Sequence, residues 1–131
     1  GFQVRDDLLN LTEYSENIAP SANAGGYGKE RGGDIAEGKR TLITIELLDR
    51  LSESDAERLR SILLSEREQV LKSDIDWCIA RAESTGALDA AAIYCEKQAY
   101  QATMALEDLP EHPAKAMLIE LVDYLTIDRK A

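Results

Sequence analysis

The sequence predicts an all-α protein, and three observations predict it. Apolar residues recur at spacings of three and four over most of the chain, which is the period of one helix face. Only three prolines fall among 131 residues, so long stretches run without a breaker. No stretch shows the sustained apolar–polar alternation of a half-buried strand, and there is no internal repeat. The whole chain, 1–131, reads as a single helical segment, long enough and aliphatic enough to bury a core.

The elements follow in order. Residues 2–16 read as helix, with Phe2, Leu8, Leu9 and Leu11 toward a core and Gln3, Asp6 or Asp7, and Asn10 sharing another face. Residues 18–33, rich in Gly, Ala, Ser and Asn, read as a loop longer than compact domains usually carry. A substrate-side covering segment and mobile padding both fit that length. Helical spacing resumes at about Lys39 and runs to Leu51, with Leu42, Ile45, Leu48 and Leu51 on one side. Ser52 offers an N-cap, with Asp55 at the capping-box spacing, for a helix through about Ser65.

Lys72 to Thr85 comes next, with Ile75, Ile79 and Ala82 in register and Trp77 and Cys78 beside them; Gly86 punctuates it. An alanine-rich helix from about Leu88 to Leu109 carries Ile93, Tyr94, Tyr100, Met104 and Leu106, and Pro110 closes it. Ala114 to Thr126 forms the last helix, with Met117, Leu118, Leu121, Val122 and Leu125. The methionine and aromatic positions read as core, and the tail from Asp128 as surface.

Composition excludes several classes of function. A net charge of −10 argues against nucleic acid and against a polybasic membrane anchor. No run approaches the roughly 18 apolar residues expected of a membrane span. Cys78 and Cys95, seventeen apart, fit no zinc or redox spacing. They read as small buried hydrophobes in a reducing cytoplasm, with a disulfide between them as the alternative. His112, the one histidine, reads as an exposed loop residue with no catalytic role.

The chemistry concentrates near the start. Carboxylates and amide oxygens are ligands that Mg2+ prefers, and it usually takes only one or two carboxylates beside waters and phosphate oxygens. Asp6, Asp7 and Asn10 fit that role, although a lone acidic pair is also what a solvated helix face looks like. Downstream, Gly25-Gly26-Tyr27-Gly28 and Gly32-Gly33 flank Lys29-Glu30-Arg31. Glycines let main-chain amides approach an anion. Lys29, Arg31, Lys39 and Arg40 place four cations within twelve residues of an otherwise acidic chain. The spacing is not that of a nucleotide P-loop. Acidic face and basic loop together make a candidate site for a magnesium-bound diphosphate.

Phe2-Gln3-Val4-Arg5-Asp6-Asp7-Leu8-Leu9-Asn10, then Gly28-Lys29, then Gly32-Gly33-Asp34-Ile35-Ala36-Glu37-Gly38-Lys39 resembles the trans-isoprenyl diphosphate synthases, or polyprenyl synthetases. Their second aspartate-rich motif reads FQ-x-x-DD-x-x-D, followed by GK and G-x-D-x-x-E/D-G/N-K. The resemblance implies the isoprenoid synthase helical bundle, of which this chain would be the C-terminal half of the domain. It implies Asp6 as principal magnesium ligand, with Asp7 and Asp34 as supporting acids. Asn10 stands where the family usually has aspartate, a weaker third metal-side position. Gln3 would contact the metal-bound substrate region, and Lys29 and Lys39 the diphosphate of the allylic substrate.

The implied reaction ionises an allylic diphosphate, and the resulting carbocation alkylates isopentenyl diphosphate. Metal ions and lysines stabilise the charge developing on the leaving group, and an apolar cavity keeps water from the cation. One departure matters. The family's first aspartate-rich motif and the arginines for isopentenyl diphosphate are missing, and Asp74-Ile75-Asp76 and Glu107-Asp108 are poor substitutes. The expectation is a half-site, inactive as an isolated chain. An N-terminal half or a partner subunit would complete it, and the complete enzyme would be a homodimer. A non-catalytic helical subunit modulating a catalytic partner is the alternative. A class I terpene cyclase is a third reading, disfavoured by the Gly-Lys to Glu-Gly-Lys run.

Overall fold

The computed structural model describes residues 1–12 and 31–128. Seven α-helices and no strand occur among the described residues: α1 Phe2–Thr12, α2 Gly33–Ala36, α3 Leu42–Arg50, α4 Glu53–Leu64, α5 Lys72–Ser84, α6 Ala87–Glu107 and α7 Pro113–Asp123. A 3₁₀ turn at Arg67–Gln69 and a π-helical turn at Tyr124–Asp128 complete them. The fold class is the all-α one that the sequence predicts. Residues 13–16 of the expected first helix, and most of the 18–33 loop, lie outside the described residues. Gly33, expected to end that loop, opens α2 instead.

The long helix α6 is the spine, packing against α1, α3, α5 and α7. Its inward face is Ala87, Leu88, Ala91, Cys95 and Ala99, and α5 meets it with Cys78, Ile79 and Ala82. Small side chains on both helices allow close approach of their axes. Leu8 and Leu11 of α1, Ile43 and Leu47 of α3, and Leu59 and Ile62 of α4 fill the rest of the core.

The face of α3 differs from the expected one. Ile43, Thr44 and Leu47 are buried, whereas Ile45 is exposed and Leu42 and Leu48 only half-buried. The reason is Thr44. Its hydroxyl donates to the Thr41 carbonyl oxygen at 2.8 Å, so it enters the core already hydrogen-bonded. A hydrophobic count alone assigns it to solvent and turns the helix by one residue.

The α4 start is as expected. The Ser52 hydroxyl accepts the Asp55 N–H at 3.3 Å, and Ser52→Ala is expected to lower stability by about 1 kcal/mol in urea unfolding. Asp55 turns its carboxylate to Arg81 (3.4 Å), and Arg58 reaches Asp74 (3.2 Å), tying α4 to α5. The Arg58 guanidinium lies 4.3 Å from the centre of the half-buried Trp77 ring.

Two expectations about the core are overturned. Phe2 is 45% exposed rather than packed. The large side chains of the last two helices, Ile93, Tyr94, Tyr100, Met104, Met117, Leu118 and Leu121, are exposed, Met117 at 69%. On α6 the core takes Leu88 and the small residues, while Ile93, Tyr94, Tyr100 and Met104 face away. On α7 no residue is fully buried, and Met117, Leu121 and Tyr124 share one outward face at helical spacing. The regular α-helix also ends at Asp123, before the expected Thr126.

Cys78 and Cys95 are buried free thiols, not a disulfide. Burial pushes the Cys78 thiol up to about 12. Thiol labelling at pH 8 is therefore expected to await unfolding, so DTNB reaction in native buffer and in urea should differ sharply. His112 is exposed as expected but has a structural role, because its Nδ1 accepts the Ala114 N–H at 3.1 Å and caps α7. No helix among the described residues is long and apolar enough to cross a membrane.

Candidate active site

The site is built where α2 folds back on the end of α1. The last carbonyls of a helix lack intrahelical donors. Here the Gly32 N–H donates to the Asn10 carbonyl oxygen (2.9 Å) and Arg31 Nε to that of Leu11 (2.8 Å). The Asn10 side-chain oxygen accepts the Asp34 N–H at 3.2 Å. Asn10 thus fastens α2 to α1 through main chain and side chain together. Gly32 has φ +76°, and a Cβ there would stand 2.2 Å from Ile75 Cγ2, so glycine is required on both counts.

Gly38, at φ +66°, turns the chain out of α2 and brings Lys39 back over it. The Lys39 N–H donates to the Asp34 carbonyl oxygen (2.9 Å). Its ammonium donates to Asp34 Oδ1 (2.5 Å) and pairs with Glu37 Oε2 (3.1 Å). Glu37 Oε1 in turn accepts from Arg67 Nη1 at 2.7 Å.

Asp7, Asn10 and Asp34 are buried, Asp6 is half-buried, Gln3 and Lys39 are exposed. Gln3 Nε2 donates to Asp7 Oδ1 at 3.1 Å, one helical turn on. Lys29 lies outside the described residues. Burial raises the Asp7 carboxyl above its ordinary value; the Gln3 hydrogen bond opposes the shift, Asp34 and Asp6 add to it, and Lys39 opposes it. The hydrogen bond to Asp34 raises the Lys39 ammonium, and that from Lys39 lowers Glu37. Carboxylates from two elements therefore share one field, with one ammonium among them.

Asp34 Oδ2 is buried and finds no hydrogen-bond donor among the described residues. A buried carboxylate oxygen without a donor is one that a cation or an ordered water would satisfy. These oxygens suit Mg2+, which takes few carboxylates. They make one wall only: among the described residues no three Asp, Glu, His or Cys side chains could hold a metal by themselves. The sequence reading gave Glu37 and Arg67 no role. Their pairing spans thirty residues, which no local spacing signals.

The polyprenyl synthetase family pattern matches residues 1–80. The chain is 35% identical over 92% of its length to a short chain isoprenyl diphosphate synthase of Methanothermobacter thermautotrophicus, covering 34% of that protein. It is 32% identical over 95% of its length to a geranylfarnesyl diphosphate synthase of Natronomonas pharaonis, covering 31%. An octaprenyl diphosphate synthase of Haemophilus influenzae is 34% identical over 98% of the chain, which covers 35% of it. The chain thus spans about a third of the length of the curated relatives it matches. No solved structure matched. With the family pattern over more than half of its residues, the chain belongs to the polyprenyl synthetase family.

Proposed function

We propose that this chain is the diphosphate-binding wall of a trans-isoprenyl diphosphate synthase, a prenyltransferase condensing an allylic diphosphate with isopentenyl diphosphate. The observation that carries the reading is the Asp34 carboxylate: buried, without a donor among the described residues at one oxygen and paired with Lys39 at the other. Together with an opposing acidic wall, Asp6, Asp7 and Asp34, with Asn10 beside them, would hold Mg2+. Bound there, Mg2+ supplies the positive charge that stabilises the departing diphosphate. Lys29 and Lys39 bind the diphosphate of the allylic substrate, and Gln3 orients Asp7 through the hydrogen bond it already makes. A polypeptide bearing the opposing acidic wall completes the site. The exposed apolar faces of α6 and α7 are where we place its packing, since the matched relatives are about three times as long. The complete enzyme would act in the cytoplasm as a homodimer.

The test uses a protein carrying both walls. Magnesium-dependent binding of a non-hydrolysable allylic diphosphate analogue, followed by calorimetry, is expected to weaken on the order of a hundredfold in Asp6→Ala. A folded, complete protein that binds no diphosphate in magnesium would leave the non-catalytic subunit as the reading.

A further inference from the structure

We propose that Lys39 is the resident counter-ion of Asp34 and yields that carboxylate to an arriving divalent cation, while Glu37 keeps the ammonium beside the site. The inference rests on the reading above that Asp34 faces the metal. One ammonium sits between two carboxylates, 2.5 Å from Asp34 Oδ1 and 3.1 Å from Glu37 Oε2. The two acceptors are unlike. Asp34 is 4% exposed, with its second oxygen lacking a donor among the described residues. Glu37 is exposed and anchored independently by Arg67 at 2.7 Å.

A dication brings more charge to the buried carboxylate than the ammonium does, so it competes for the same oxygens. Lysine is a compact charge on a flexible stem. With its side chain 43% exposed, Lys39 can swing from Asp34 without unpacking the core. The Arg67-held Glu37 limits how far it goes. Released from Asp34, the ammonium has donors free for an anion, so metal entry and anion capture become one linked event.

The sign of one measurement separates this exchange from a simple ligand role. Mn2+ binding to the protein carrying both walls, without diphosphate, is read from the loss of the free-ion EPR signal. Lys39→Met removes the competitor and is expected to tighten Mn2+ binding by roughly three- to tenfold. General repulsion between two cations would also tighten it, and a double-mutant cycle separates the two. The exchange requires the gain to vanish in an Asp34→Asn background; repulsion leaves it intact. Glu37→Gln should likewise weaken Mn2+ binding only while Lys39 is present. Unchanged or weaker binding in Lys39→Met, with the parent protein binding Mn2+, overturns the exchange and leaves the metal reading standing. A gain that persists with Asp34→Asn overturns it too. No Mn2+ bound by either the parent or Lys39→Met defeats the exchange, while the diphosphate measurement above decides the metal reading by itself.

Discussion

Gly38→Ala is expected to destabilise the chain by roughly 2–5 kcal/mol, far beyond an ordinary surface substitution. Two costs combine. At φ +66° any L side chain strains the backbone, and a Cβ there would lie 2.4 Å from the Leu63 carbonyl oxygen, which belongs to main chain and cannot rotate away. Gly86 isolates the first cost from the second. Its φ is +75°, but the nearest heavy atom to a Cβ is Arg50 Nη1 at 3.6 Å, the end of a flexible side chain. Asparagine tolerates the left-handed region, so Gly86→Asn should cost about 1 kcal/mol or less. Gly38→Asn should remain severe, because asparagine brings the same Cβ. Urea unfolding of the two asparagine variants decides the matter, and equal costs would refute the contact with Leu63. The consequence reaches the site, since Gly38 stands between Glu37 and Lys39. A turn pushed off α4 moves the ammonium away from both Asp34 and Glu37, so Gly38→Ala should also displace Lys39 from the place where it is proposed to meet the diphosphate.

The longer helices were legible in the sequence where boundary chemistry marks them: Ser52 caps α4, Gly86 punctuates α5, and Pro110 follows the end of α6. The four-residue α2 reads there as the end of a loop and the approach to α3. Which face of each helix turns inward was less legible. Thr44 is buried because its hydroxyl bonds to its own preceding turn, and a hydrophobic pattern cannot see that. Helix α6 is apolar on two sides, so periodicity offered two cores and size suggested the wrong one. The site divides in the same way. The grouping of Asp7 and Asn10 on one helix is local and followed from spacing, and family resemblance added Asp34 and Lys39. That Lys39 is bracketed by Asp34 and Glu37, with Arg67 behind, depends on how the Gly38 turn meets α4. Such long-range placement leaves no mark on local sequence.

The paired substitution Met117→Lys and Leu121→Lys is expected to leave the isolated chain's stability within about 1 kcal/mol while abolishing its assembly into a complete synthase. Both side chains are exposed, at 69% and 48%, so this chain gains little core from them. Leu59→Ala provides the opposite case. Leu59 is wholly buried, and its truncation should cost about 2–5 kcal/mol of stability in the isolated chain. Interior and interface are thereby distinguished by which measurement moves. In the proposed reading, α7 lays its Met117, Leu121 and Tyr124 face against the polypeptide that bears the opposing acidic wall. Burying two lysines there would leave their charges without partners, and a loss of about 2 kcal/mol or more at each anchor weakens association by roughly thirtyfold or more. Sedimentation of the chain with a separately expressed complementary segment reads assembly, and urea unfolding of the chain alone reads stability. Assembly that survives both lysines would move the contact off α7. A large loss of stability in the chain alone would mean that α7 packs its apolar face within this chain.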